Sequence, residues 1–151
     1  IYKRSASAVA SGSATAASWS PWYTAPTGFD VNGLTYDATN SSLLWADNSA
    51  TSGGTRIQAS ATSGSTASAT AVISSLAVDV DGLQLNNKGN LVAIDTATGA
   101  KLINLATGTP GTVTNLTDGA ACATTVAIYK ADAWCSDSVG KVIRLVGAGD
   151  L

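Results

Sequence analysis

Gly33-Leu34-Thr35-Tyr36-Asp37, then Leu43-Leu44-Trp45-Ala46-Asp47, then Gly54-Thr55-Arg56-Ile57: this stretch decides the fold, because the chain repeats it twice more. The second copy reads Gly82-Leu83-Gln84-Leu85, Leu91-Val92-Ala93-Ile94-Asp95 and Gly99-Ala100-Lys101-Leu102-Ile103. The third reads Val126-Ala127-Ile128-Tyr129, Ala133-Trp134-Cys135-Ser136-Asp137 and Gly140-Lys141-Val142-Ile143. Each copy is an apolar strand, a short turn, an apolar strand ending in Asp, a turn with Gly, and a strand that opens on a basic residue. The closing aspartates Asp47, Asp95 and Asp137 stand 48 and 42 positions apart. A period of that size marks a repeated supersecondary unit.

No segment carries a capped apolar stripe at helical spacing, and Gly and β-branched residues are too frequent for long helices. Turn residues recur every several positions, as they do in all-β domains. The expectation is therefore all-β, with about three repeats at 29–71, 72–117 and 118–148 after a lead of 1–28. The lead is Ala/Ser/Gly/Thr-rich, suited to a flexible segment or an edge strand, and it ends in Trp19-Ser20-Pro21-Trp22-Tyr23. Residues 59–71 alternate Ala with Ser or Thr, which fits either low-complexity sequence or an outer strand with small side chains. Val113–Leu116 reads as the fourth strand of the second unit.

The residues of the first unit resemble the blade signature of YWTD and NHL propellers, whose blades read Gly-Leu-Ala-x-Asp, Leu-Tyr-x-x-Asp and then an Arg-Ile strand. Leu91 to Leu102 resembles the equivalent part of a quinoprotein-type blade. The third unit departs from the pattern: it lacks the leading Gly-Leu and places Trp134-Cys135 where an aromatic pair position falls. The resemblance spans about half the chain and implies four-stranded, propeller-like sheets. Propellers close with about four to eight blades, so three units are incomplete alone. The resemblance thus implies exposed strand edges that need covering, supplied by other chains or further copies of this one.

The composition bounds the chemistry. The chain has 151 residues, no His, no Glu, ten Asp and eight Lys or Arg, for a net charge of −2. A Ser-His-Asp triad cannot be built without His. The cations are scattered, so there is no clustered basic surface for nucleic acid. No apolar run approaches the ~20 residues of a membrane-spanning helix. Neither cofactor nor metal is expected. Asp79-Val80-Asp81-Gly82 has the look of a calcium-loop start, but such a loop closes on a bidentate Glu that this chain lacks; a strand-end turn is the better reading. Asp47, Asp95 and Asp137 are read as turn residues whose carboxylates accept backbone N–H bonds.

Cys122 and Cys135 are an even pair, suited to one disulfide between neighbouring strands. Asn40-Ser41-Ser42 and Asn115-Leu116-Thr117 are glycosylation sequons placed in turns. Trp19, Trp22 and Tyr23 are candidates for a partner interface or for stacking on sugar rings, whereas Trp45 and Trp134, read as occupying matching places in two units, suit packing between units. Low charge, abundant Ser and Thr, the cysteine pair and the sequons fit an extracellular or cell-surface protein. The function expected is non-enzymatic: a structural or adhesion protein in a β-rich assembly such as a filament or coat. Two alternatives stand beside it. One is a pilin-like filament subunit, from the similarity of Cys122…Cys135-Ser136-Asp137 to the C-terminal disulfide loop of type IV pilins, although their apolar N-terminal helix is missing. The other is a propeller lectin.

Overall fold

A computed structural model of the chain describes residues 1–3, 20–49, 54–106 and 110–151. Strands β1 (Tyr2–Lys3) and β2 (Ser20–Pro21) pair as a short two-stranded ladder. The first large sheet is a meander of β3 (Phe29–Asp37), β4 (Ser42–Ser49), β5 (Thr55–Ala61) and β6 (Thr70–Leu76). The second repeats it with β7 (Gly82–Leu85), β8 (Leu91–Asp95), β9 (Gly99–Ile103) and β10 (Val113–Asn115). The third has three strands, β11 (Val126–Tyr129), β12 (Asp132–Ser136) and β13 (Val142–Leu145). All pairings are antiparallel between sequence neighbours. The fold is all-β and propeller-like, and none of the three sheets closes on itself.

The sheets stack face to face, and the apolar alternation decides which side meets which neighbour. Leu44, Ala46, Ile57 and Ile73 of the first sheet pack against Leu83, Leu91, Ala93 and Ile103 of the second. The other side of the second sheet, with Val92, Ile94 and Ala100, meets Val126, Ala133, Cys135 and Leu145 of the third. The second sheet is thus covered on both faces, and every residue of β8 is buried. This explains why its sequence is a continuous apolar run rather than an alternating one. Each fully buried Leu, Val or Ile contributes about 1.5–3 kcal/mol relative to an exposed one. That outweighs the ~0–1 kcal/mol of an exposed ion pair such as Arg144–Asp132, so the inter-sheet cores hold the stack.

The first strands of the sheets approach one another closely. A Cβ on Gly33, which sits at φ +57° in the bulge of β3, would meet Leu83 Cβ at 2.7 Å and Leu83 N at 3.0 Å. One on Gly82 would meet the Thr124 carbonyl oxygen at 2.7 Å. Glycine at these positions lets backbone lie against backbone. Thr35 Oγ1 links the same junction, accepting from Leu85 N at 3.0 Å. The C-terminal turn Ala148–Asp150 helps tie the second sheet to the third: Asn87 Nδ2 donates to the Lys130 carbonyl at 2.7 Å and to Asp150 at 2.6 Å.

Two sequence expectations shift here. Val72 and Ile73 do not open the second unit. They lie in β6, the outer strand of the first sheet, because Ile73 and Leu76 fill the core between the first two sheets. The Ala/Ser/Thr alternation of 59–71 spans the end of β5 and the loop after it, with only Thr70 and Ala71 in β6. The third unit has three strands among the described residues, not four.

Candidate functional site

Among the described residues no cluster of three or more Asp or Cys is placed to hold a metal. What the structure offers instead is the pair of outer faces at the two ends of the stack.

The first end is covered in part, over Trp45 and Asp47, while Leu34 and Tyr36 on the same face stay exposed. Trp45 is fully buried, with Trp22 edge-on to it at 6.0 Å between ring centroids and Tyr23 tilted against it at 4.6 Å. Beneath the rings lies the carboxylate of Asp47, which is fully buried. It accepts Tyr23 OH at 2.5 Å, Trp45 Nε1 at 3.1 Å and the Arg56 guanidinium at 3.0 Å. Arg56 in turn lies over the Phe29 ring at 3.7 Å. A buried carboxylate is tolerated only with such partners. Burial, then the hydrogen bond to Asp47 and its negative charge, push the Tyr23 phenol up to about 12. The backbone holds the same segment in place: the Ile1 amino group donates to the Tyr23 carbonyl at 2.9 Å, and Ala67 N donates to the Trp22 carbonyl at 2.7 Å.

The candidates for an interface or sugar stacking are therefore corrected in part. Trp22 is 3% exposed and Tyr23 half-buried. Both pack against Trp45, and the buried Trp22 offers no free ring face; Trp19 lies outside the described residues. Asp47 is corrected too. It is not a turn residue but a buried anchor inside β4. Asp95 and Asp137 do hold turns, accepting Ala97 N at 2.9 Å and Lys141 N at 2.7 Å. Asp37 does the same in the turn after β3, accepting Thr39 N at 2.9 Å. Asp81 accepts Thr96 N at 2.9 Å, as a strand-end residue does.

The other end of the stack is bare. In the strand registers, Leu44, Val92 and Trp134 occupy one equivalent place, each three residues before the closing aspartate. Each pairs across the ladder with Ala59, Leu102 and Arg144 respectively. Leu44 and Val92 point onward into the next sheet. Trp134 points the same way and meets solvent, 36% exposed. Trp45 matches Ala93 and Cys135 instead, on the opposite face. Trp45 and Trp134 therefore do not occupy matching places; aligning units by their tryptophans shifts the register by one residue, which reverses the face. Around Trp134 lie Tyr129 and Val142, 65% and 71% exposed, with Arg144 bridging to Asp132 at 2.6 Å. The Arg144 guanidinium sits 5.6 Å from the Trp134 centroid. A backbone bond from Gly147, then Arg144, hold the Asp132 carboxyl below its usual range.

Cys122 and Cys135 form a disulfide, with Cα atoms 5.6 Å apart, on the buried face of the third sheet. Asn40 is exposed in the β3–β4 turn, on the rim of an open groove of about 580 Å³ floored by Leu44, Ala59 and Leu85. Asn115 is exposed as well, but it ends strand β10 rather than lying in a turn, and its side chain accepts from the buried Lys101 at 3.0 Å. No helix among the described residues is long and apolar enough to cross a membrane.

Stacked antiparallel meanders with converging first strands define a propeller-like all-β class. A chain in the crystal structure of a nidogen/laminin complex, a YWTD β-propeller, has this fold: TM-score 0.62 and 20% identity, over 81% of the present chain. The present chain spans less than half of that one, 45% of its length. No family model matches the chain, and no curated protein matches it.

Proposed function

We propose that this is a non-enzymatic extracellular structural or adhesion protein whose blade-like sheets work inside a larger β-rich assembly. The observation that carries this reading is the bare Trp134 face, which holds the position that receives another sheet at both earlier places in the stack. Three further points support it. The similar fold belongs to a protein solved as a complex with a protein partner. A disulfide suits an oxidising compartment. The two groups with shifted acidity, Tyr23 and Asp132, are tied into structural contacts rather than facing a cleft. The resemblance to YWTD-type blades belongs to this reading, as does glycan attachment at Asn40 and Asn115. Nothing in the geometry favours a pilin, and burial of Trp22 removes the best support for a lectin.

The test is fractionation of the cells that make the protein, followed by intact-mass measurement. The expected result is oxidised protein in the extracellular or surface fraction, within a high-mass complex. Reduced, monomeric protein in the cytosol would sink the reading.

A further inference from the structure

We propose that the outer edge of β13 takes up a fourth strand from a partner polypeptide, an extended segment with an aliphatic side chain opposite Leu145. This rests on the assembly reading above and names where that assembly would join.

The repeat supplies the first observation. The first two sheets have four strands each, and the third has three among the described residues. The registers set Ala100, Leu102 and Ile103 of β9 level with Val142, Arg144 and Leu145 of β13. In the second sheet the outer edge of β9 is in use. Leu116 N donates to the Ala100 carbonyl at 3.0 Å, and Asn104 N donates to the Thr112 carbonyl at 3.0 Å. Leu102 and Thr114, which lie between them, are therefore a bonded pair as well.

In the third sheet the equivalent groups are free. Asp137 N donates to the Lys141 carbonyl at 3.0 Å. Bonded pairs alternate along an antiparallel ladder, so Ile143 and Leu145 bond to β12, while Val142 and Arg144 turn their N–H and C=O groups outward. Among the described residues nothing meets those four groups. A row of unpaired backbone groups is a template for another strand, and β13 has neither the bulge nor the proline that commonly blunts one. The other outer strands differ. The β5–β6 register shifts at two places, and β10 is only three residues long.

The second observation is a cavity of about 300 Å³ beside that edge. Its apolar wall is Leu116, Leu145, Ala148 and Leu151. In the second sheet Val113, the fourth-strand residue opposite Ile103, packs into the core between the first two sheets. A fourth-strand residue opposite Leu145 enters this cavity in the same way. Thr117 and Asp118 add polar groups to the wall, so one aliphatic side chain suits it better than an apolar run. Among the described residues no segment is left to supply the strand. Past β13 the chain turns back, and the Leu151 carbonyl accepts Asn86 and Asn90 at 2.8 and 3.2 Å. Strands β1 and β2 pair with each other, and every other strand already lies in a sheet. Strand addition of this kind takes its affinity from the main chain and its specificity from the side-chain pocket.

Residue-resolved hydrogen exchange on the purified oxidised chain tests this. The probe is a synthetic peptide copying residues 110–117, the chain's own fourth strand. Alone, the Val142 and Arg144 amides exchange faster than those of Ile143 and Leu145. Peptide added to about 1 mM, the weak end of specific association, slows them about tenfold and saturates. N-methylation of the peptide at its Thr114 position, whose N–H meets Arg144, weakens binding about tenfold, the loss of one well-made contact. N-methylation at its Asn115 position, which faces away, leaves binding unchanged, and Asp at its Val113 position weakens it. These variants alter the peptide and leave the fold of the chain intact. Slow exchange at Val142 and Arg144 in the chain alone means that the edge is already paired, within one chain or between copies, and overturns the proposal. Failure of the peptide to bind, protection at β6 or β10 instead, or equal losses from the two methylations also overturn it. The fractionation test does not involve this peptide, so the two readings fail separately.

Discussion

The Tyr23 hydroxyl donates to Asp47 across 24 residues of sequence, and this contact fastens the N-terminal lead to the first sheet. Its pH dependence follows from the raised phenol. The folded group titrates at about 12 and the unfolded one at 10.0. Between these values the unfolded chain has lost the proton and the folded chain keeps it, so stability falls as pH rises. The contribution is complete below pH 10 and is gone as the pH passes the folded value. Tyr23→Phe removes that alkaline component and, because the acceptor is a carboxylate, costs about 1.5–3 kcal/mol at neutral pH. Urea unfolding of both proteins from pH 8 to 12 measures it. Parallel curves would refute the assignment.

Asp47→Asn keeps the shape and removes the charge beneath Arg56. The loss expected for breaking a buried pair is about 3–5 kcal/mol. Asp95→Asn, at a turn, should cost less, about 1 kcal/mol. Equal losses at the two sites would mean that Asp47 is a turn residue after all.

Gly99 and Gly140 share φ +85° but not their surroundings. A Cβ on Gly99 would lie 2.5 Å from the Gly119 carbonyl oxygen, whereas one on Gly140 meets nothing within 4 Å. Gly140→Ala pays only the left-handed backbone strain, about 1–2 kcal/mol. Gly99→Ala adds a clash with backbone, about 1–3 kcal/mol more. Melting temperatures of the two variants should differ clearly.

The disulfide joins residues 13 apart, and both cysteines are buried, at 1% and 3% exposure. Replacing both with Ala should cost roughly 3 kcal/mol in the chain-entropy picture. The variant should melt lower under non-reducing conditions and become insensitive to added thiol. Thiol-insensitive melting of the parent chain would show that the bond contributes nothing.

The strands and their order were legible in the sequence because the repeated Asp and Gly turns punctuate runs with period two. The faces were harder. A period of two states that neighbours alternate, not which side meets the next sheet, and matching Trp45 to Trp134 by residue type joins positions whose registers differ by one. The outer strand β6 is hard to place from sequence for a related reason: Ala, Ser and Thr carry too little hydrophobic contrast to locate its start, and only the depth of Ile73 and Leu76 assigns it. The roles of Trp22, Tyr23 and Asp47 depend on contacts between segments far apart in sequence, which no local pattern encodes. Asp47 looked like Asp95 because each ends an apolar run; nothing nearby foretold that a tyrosine from the lead would reach it.

The double covering of β8 bears on how the protein is made. Its Leu-Val-Ala-Ile run is shielded on one side by chain synthesised earlier and on the other by chain synthesised later. While a ribosome is still translating the third sheet, Val92 and Ile94 stand naked on a half-built surface. The nascent polypeptide therefore keeps that apolar face uncovered until β12 and β13 emerge, the kind of transient exposure that invites aggregation.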